Sequence, residues 1–228
     1  MNTYTVRQAT EGLSRLIESY GEEAKKRGVA IAYDSRHFSP EFAMESARTL
    51  ATHGIKSYVF ESLRPTPELS FAVRHLHTFA GIMITASHNP AAYNGYKVYG
   101  EDGGQMPPKD ADALTAYVRQ VANPLELKVL DDEALEASGF VTIIGKDVDD
   151  EYLKEIKTVS VNPKLLSDVE GLSVVYTPLH GTGLMLVEKA LEQANFKGLH
   201  VVEEQAVPDG DFSTVKSPNP EEAGAFEY

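Results

Sequence analysis

The sequence contains no cysteine. That excludes a disulfide framework, a thiolate nucleophile and a thiolate-ligated metal, and it fits a reducing compartment. Positive charge is scarce: 21 Lys and Arg stand against 34 Asp and Glu, for a net charge of −13. A protein that grips nucleic acid needs the opposite balance. An acidic protein can still take one phosphorylated metabolite, provided a few basic groups gather in one cleft. No apolar run is long enough to cross a bilayer. Met1 leads into polar Asn2-Thr3-Tyr4-Thr5, without the basic and apolar regions of a secretory signal. The expected location is the cytoplasm, with neither nucleic acid nor membrane as partner.

What is present is a globular composition, 42% hydrophobic and 24% charged. Val6, Ala9, Leu13, Leu16 and Tyr20 recur at helical spacing, which predicts one helix from Tyr4 to Lys26 with Gly28 beyond its end. Val29 to Tyr33 reads as a strand covered on both faces. Ser39-Pro40-Glu41 and Thr66-Pro67-Glu68 each combine a capping hydroxyl, a first-turn proline and an acid, so each starts a helix. Ile55 to Phe60 and Gly81 to Ala86 read as further strands. Lys109 to Val121 and Asp147 to Thr158 read as helices, with a strand at Val141 to Ile144. A second unit follows, with strands at Ser173 to Tyr176 and Leu199 to Val202 around a helix at Thr182 to Ala194. The alternation predicts an α/β protein with a mixed, mostly parallel sheet flanked by helices. Two domains are expected, 1–148 nearly complete and 149–228 incomplete and of similar type.

Four polar clusters each follow a predicted strand: Asp34-Ser35-Arg36, Arg64-Pro65-Thr66-Pro67, Thr85 to Pro90, and Thr177 to Gly183. In open α/β sheets ligands bind at the carboxyl ends of strands, so these loops are the candidate site. Ser87 reads either as a turn serine or as a phosphoryl acceptor; its neighbours lack the Gly-x-Ser-x-Gly frame of a hydrolase elbow. Asn94-Gly95 reads as a tight hairpin turn that returns Lys97 beside the Ser87 loop, where Lys97 could exchange a proton. Arg36 and Arg64 in one crevice would suit a phosphate, and His180 precedes a helix whose open amides attract anions. Asp209-Gly210-Asp211 has the spacing of two cation ligands but no third acid at that spacing, and reads as a solvated turn.

Thr85-Ala86-Ser87-His88-Asn89-Pro90 followed by Tyr93-Asn94-Gly95-Tyr96-Lys97 closely resembles the phosphoserine loop of the α-D-phosphohexomutases. Tyr33-Asp34-Ser35-Arg36, Arg64-Pro65-Thr66-Pro67-Glu68, Gly103-Gly104-Gln105, Thr177-Pro178-Leu179-His180-Gly181 and Ser217-Pro218-Asn219-Pro220-Glu221 match the same family in order. The resemblance implies interconversion of hexose 1-phosphate and hexose 6-phosphate through a bisphosphate intermediate. Ser87 would be the phosphoserine, Lys97 the general acid/base, and Arg36 and His88 its catalytic neighbours. Asn89, Arg64 and His180 would hold substrate phosphate. Mg²⁺ would sit on the Ser87 phosphate and on Asp residues of a later loop, with a sugar bisphosphate as activator. Glucose phosphate is the first expected substrate; mannose and pentose phosphates are the alternatives.

The sequence departs from the family in lacking its opening arginine segment, its Asp-rich metal loop and its later sugar and phosphate loops. The expectation is therefore an N-terminal portion, inactive alone, with self-association through the incomplete second domain. A non-catalytic phosphosugar-binding module is the competing class.

Overall fold

The computed structural model describes residues 1–162, 165 and 171–227. They divide into two compact units. The first comprises residues 1–34, 38–86 and 94–145; the second comprises 35–37, 87–93 and 146–228.

In the first unit the chain runs α1 (Thr3–Ser19), α2 (Glu22–Arg27), β1 (Val29–Tyr33), α3 (Ser39–Thr52), β2 (Ser57–Phe60), α4 (Thr66–His75), β3 (Ala80–Ile84), β4 (Tyr96–Tyr99), α5 (Pro108–Arg119), α6 (Asp132–Ser138) and β5 (Val141–Ile144). The sheet order is β4-β3-β1-β2-β5. Only β4 is antiparallel, against β3. All five residues of β1 and all five of β3 are buried, as expected of strands covered on both faces. Alternate positions divide between the two faces. Val29, Ile31 and Tyr33 join Leu13 and Ile17 of α1 and Ala43, Ala47 and Leu50 of α3 in one cluster. On the other face α4 lies so close that a Cβ on Gly81 would stand 2.6 Å from a Val73 methyl.

The single helix expected over Tyr4 to Lys26 is two. The chain breaks at Tyr20-Gly21, where Gly21 takes φ +89°, a left-handed conformation that glycine tolerates. The caps also differ from expectation. Ser39 is the first helical residue of α3, and its hydroxyl donates to Asp34 Oδ1 at 2.8 Å instead of capping an amide. Phe38 and Pro65 occupy the cap positions of α3 and α4 without side-chain caps. Helix α6 escaped the sequence pattern because it is only seven residues long and buries one side chain, Leu135.

The second unit carries α7 (Lys146–Thr158), a parallel pair of short strands, β6 (Val174–Tyr176) and β7 (Leu199–Val201), and between them a helix over Leu184–Gln193. Among the described residues, no helix is long and apolar enough to cross a membrane.

Ile31 is fully buried at the centre of the five-stranded sheet, in register with Val59 and Ile82. Ile31→Ala should therefore destabilise the first unit by about 2–5 kcal/mol, read as a lower urea midpoint. Val175→Ala, at a position 72% exposed, should shift the midpoint little.

Candidate functional site

The parallel register brings the carboxyl ends of β1 and β3 level with one another. Tyr33 stands opposite Ile84, and the Asp34 amide donates to the Ile84 carbonyl at 3.1 Å. Asn94 closes the base: its Nδ2 donates to the Ser39 hydroxyl at 2.8 Å, and its Oδ1 accepts from the Gly95 amide at 2.7 Å. Asn94-Gly95 is not the hairpin turn the sequence suggested. Gly95 already belongs to the ladder, its carbonyl accepting from the Thr85 amide at 3.0 Å. A Cβ there would meet the Thr85 carbonyl oxygen at 2.5 Å, so close backbone approach explains the glycine. The reversal is made by residues 87–93. Lys97 lies half-buried on β4, paired with Met83.

Within the second unit, residues 87–93 are wrapped around one side chain. Arg36 is 2% exposed. Its Nη1 donates to the carbonyls of Pro90 and Tyr93, each at 2.9 Å. Its Nη2 donates to those of Ser87 at 2.9 Å and Asn89 at 2.6 Å. All four Nη protons are thus directed into the loop backbone. In this arrangement the fork expected to meet phosphate is engaged with the carbonyls of the serine loop. The amides are oriented by the same bonds. In a trans peptide the N–H points away from its own carbonyl, and no cis peptide occurs among the described residues. With the Ser87 and Pro90 carbonyls drawn toward Arg36, the amides of His88 and Ala91 are turned the other way. Ser87 itself is exposed and holds φ +58°, a sparsely populated region for a side-chain-bearing residue. His88 and Asn89 are exposed beside it.

Arg36 has a second support. Its guanidinium lies over the Phe212 ring, 5.1 Å from the centroid. One residue on, His37 Nε2 pairs with Asp211 Oδ1 at 2.7 Å. Between them Gly210 lies against His37, where a Cβ would meet the His37 amide nitrogen at 3.0 Å. Asp209 fixes this turn: its carboxylate accepts from the Asp211 amide at 2.9 Å, the Ser213 amide at 2.9 Å and the Ser213 hydroxyl at 2.6 Å. These bonds, the Ser213 hydroxyl foremost, hold its pKa down at about 2. The sequence reading treated this acidic pair as solvated only. His37, Gly210 and Phe212 escaped it because their signal is purely spatial.

The remaining predicted residues take internal roles. Arg64 is 2% exposed; it donates to the Leu63 carbonyl at 3.0 Å and to the Ser62 hydroxyl, and lies 3.6 Å from the fully buried Glu68. It belongs to the first unit, whereas Arg36 belongs to the second. His180, expected to hold phosphate, uses both ring nitrogens inside the protein, with the Val207 carbonyl and the Thr214 hydroxyl, each at 2.8 Å. No group of three acidic or histidine side chains that could hold a metal ion occurs among the described residues. The donor set implied for Mg²⁺ is therefore not met by them.

Residues 1–124 match the profile described as phosphoglucomutase/phosphomannomutase, alpha/beta/alpha domain I, and residues 150–228 match domain II of the same family. The chain belongs to the phosphoglucomutase/phosphomannomutase family. Curated phosphoglucomutases of Staphylococcus aureus, among them strains USA300 and N315, are 40% identical over all 228 residues. The chain spans only 40% of the length of these relatives. Among solved structures, a putative phosphomannomutase from Thermus thermophilus superposes with a TM-score of 0.75 at 25% identity, over 94% of this chain and 44% of that one. A phosphoglucomutase/phosphomannomutase family protein from Burkholderia thailandensis shares the fold, with a TM-score of 0.66 at 19% identity over 93% of this chain and 42% of that one. Membership accounts for the ordered set of loops at the strand ends.

The Asp209 turn gives a pH test. Its carboxyl titrates lower in the fold than the ordinary value of 3.8. The stabilisation is therefore complete above about pH 4 and is lost as pH falls toward about 2. Asp209→Asn should cost the second unit about 0.5–1 kcal/mol at neutral pH, a value kept small by solvent screening. The gap between variant and parent in urea denaturation should narrow steadily below pH 4.

Proposed function

We propose that this chain carries the phosphoryl-acceptor loop of a phosphoglucomutase, with Ser87 Oγ as the acceptor. The observation that carries the reading is the Ser87 loop itself: an exposed serine on a backbone whose carbonyls are drawn inward to a buried guanidinium, so that the amides of His88 and Ala91 point the other way. Outward amides and a buried positive charge together favour an anion at the loop. Phosphoryl transfer asks mainly for in-line positioning and charge neutralisation, which a pre-shaped loop supplies.

In this reading a hexose bisphosphate first charges Ser87, breaking a P–O bond to the sugar and forming one to Oγ. Phosphorylated Ser87 then gives its group to the 6-hydroxyl of a hexose 1-phosphate, breaking the Oγ–P bond and making the 1,6-bisphosphate, and takes back the 1-phosphoryl group, so the net change is hexose 1-phosphate to hexose 6-phosphate with the phosphoserine restored. Lys97 would exchange the hydroxyl proton. His88 and Asn89 would line the loop, and Arg36 would set its shape. Mg²⁺ chemistry is part of the family reading, but no step is routed through it, because the described residues do not assemble its ligands. Glucose phosphate is the preferred substrate, by the 40% identity to curated phosphoglucomutases. Mannose phosphate is the second choice, favoured by the 0.75 TM-score to a putative phosphomannomutase. The setting is cytoplasmic carbohydrate metabolism.

Exposure of the purified chain to radiolabelled glucose 1,6-bisphosphate should place label on Ser87, and Ser87→Ala should carry none. Label that persists in Ser87→Ala would remove the reading. Because the chain spans 40% of its relatives, steady mutase turnover is not expected from it alone. Self-association is expected through the exposed Val174 and Val175 of β6. A single sharp monomer peak in sizing chromatography would count against it.

A further inference from the structure

We infer that the turn Asp209 to Ser213 is a latch that sets the geometry of the Ser87 loop, with Phe212 as its positioning residue acting through Arg36. The functional half of this inference rests on Ser87 being the phosphoryl acceptor; the structural half does not.

The chain of contacts is continuous within the second unit. His180 forms the fixed end. Its ring holds the Val207 carbonyl and the Thr214 hydroxyl, and its own carbonyl accepts from the Asp209 amide at 3.2 Å. The turn between those points is tied internally by the three bonds to Asp209. It then meets residues 36–37 at three places: Phe212 under the Arg36 guanidinium, Asp211 on His37, and Gly210 flat against His37. Arg36 in turn is bonded to four carbonyls of residues 87–93.

The placement of Phe212 is specific. The ring is 6% exposed and takes φ +51°, a conformation that a bulky residue adopts only when its surroundings impose it. Asp209 imposes it, because the Phe212 amide also donates to the Asp209 carbonyl at 3.3 Å. The ring gives the buried guanidinium an apolar, π-bearing floor on which its plane can rest. Without that floor the guanidinium gains freedom to rotate and tilt, and each Nη bond loosens. The four carbonyls would then no longer be drawn to one point, and the outward set of the His88 and Ala91 amides would be lost with them. Phe212 touches no reacting atom; its effect on Ser87 is relayed entirely by Arg36.

The test follows the Arg36 Nη protons by NMR in the intact chain, together with the rate at which Ser87 is labelled by radiolabelled glucose 1,6-bisphosphate. In the parent, four bonds should hold these protons in slow exchange with resolved signals. In Phe212→Leu their exchange should rise about tenfold or more, while amides of β3 keep their rates. The labelling rate of Ser87 should fall by a similar factor, and Phe212→Tyr should restore both. His37→Ala removes an exposed side chain that attaches to the turn and so guards against a folding failure; it should speed exchange about threefold. Unchanged Arg36 exchange in folded Phe212→Leu and in His37→Ala overturns the latch, whatever the labelling shows. Faster exchange in a chain whose parent takes no label at Ser87 upholds the latch and removes the phosphoryl-acceptor reading instead. Faster exchange with an unaltered labelling rate overturns the positioning role of Phe212.

Discussion

The guanidinium of Arg36 is a full positive charge almost withdrawn from water, and that fact constrains everything around it. Burying such a charge is costly unless its protons are all taken up and its faces are covered. Here the Nη protons go to four carbonyls of one seven-residue segment, and the Phe212 ring covers a face. Hydrogen bonds from a charged donor contribute about 1.5–3 kcal/mol each. A segment that supplies four of them has little freedom left. The cost of burying the charge and the rigidity of the loop are therefore one arrangement seen from two sides. The positive φ at Ser87 follows from the same demand, since the chain must turn its carbonyl inward while leaving its side chain outside.

The sheet of the first unit fixes where the two strands before these segments stop. β1 and β3 are parallel neighbours, and Tyr33 ends level with Ile84. The two chains therefore leave the sheet side by side, Asp34 bonded to Ile84 on the way out. Asn94 and Gly95 guard the return path: one side chain bonds Ser39, and the missing side chain of the other lets β4 close on Thr85.

Much of this was legible in the amino-acid order. Continuous apolar runs marked β1 and β3 because both faces are buried, and the 3.6-residue periodicity marked α3, α4 and α5 because each buries one stripe. The four strand-end loops were found because function in such sheets gathers where strands stop. What the pattern could not carry was direction. Arg36 and His180 were legible as basic groups in the right loops, yet the first gives its Nη donors to carbonyls and the second uses both ring nitrogens on neighbours. Nothing in a one-dimensional pattern distinguishes a guanidinium aimed at a ligand from one aimed at its own backbone. The Tyr20-Gly21 break was hidden for a related reason. A short helix with two acids in its first turn and three bases in its last continues the preceding period smoothly, and only the φ of Gly21 interrupts it.

Asp209-Gly210-Asp211 shows most clearly how spacing underdetermines chemistry. Two carboxylates two residues apart can converge on a cation, because alternate side chains in an extended segment share a face. In a turn they diverge. The Asp209 carboxylate reaches forward to the Asp211 and Ser213 amides and the Ser213 hydroxyl, and Asp211 pairs with His37. A carboxylate that accepts three donors from its own turn is held ionised by them, without any metal. The same three bonds, beside the backbone bond from the Phe212 amide to the Asp209 carbonyl, rigidify the turn, so the low pKa of Asp209 and the position of Phe212 share part of their cause. Acid that protonates Asp209 would therefore loosen the surroundings of Phe212 as well, and through Arg36 the loop that carries Ser87.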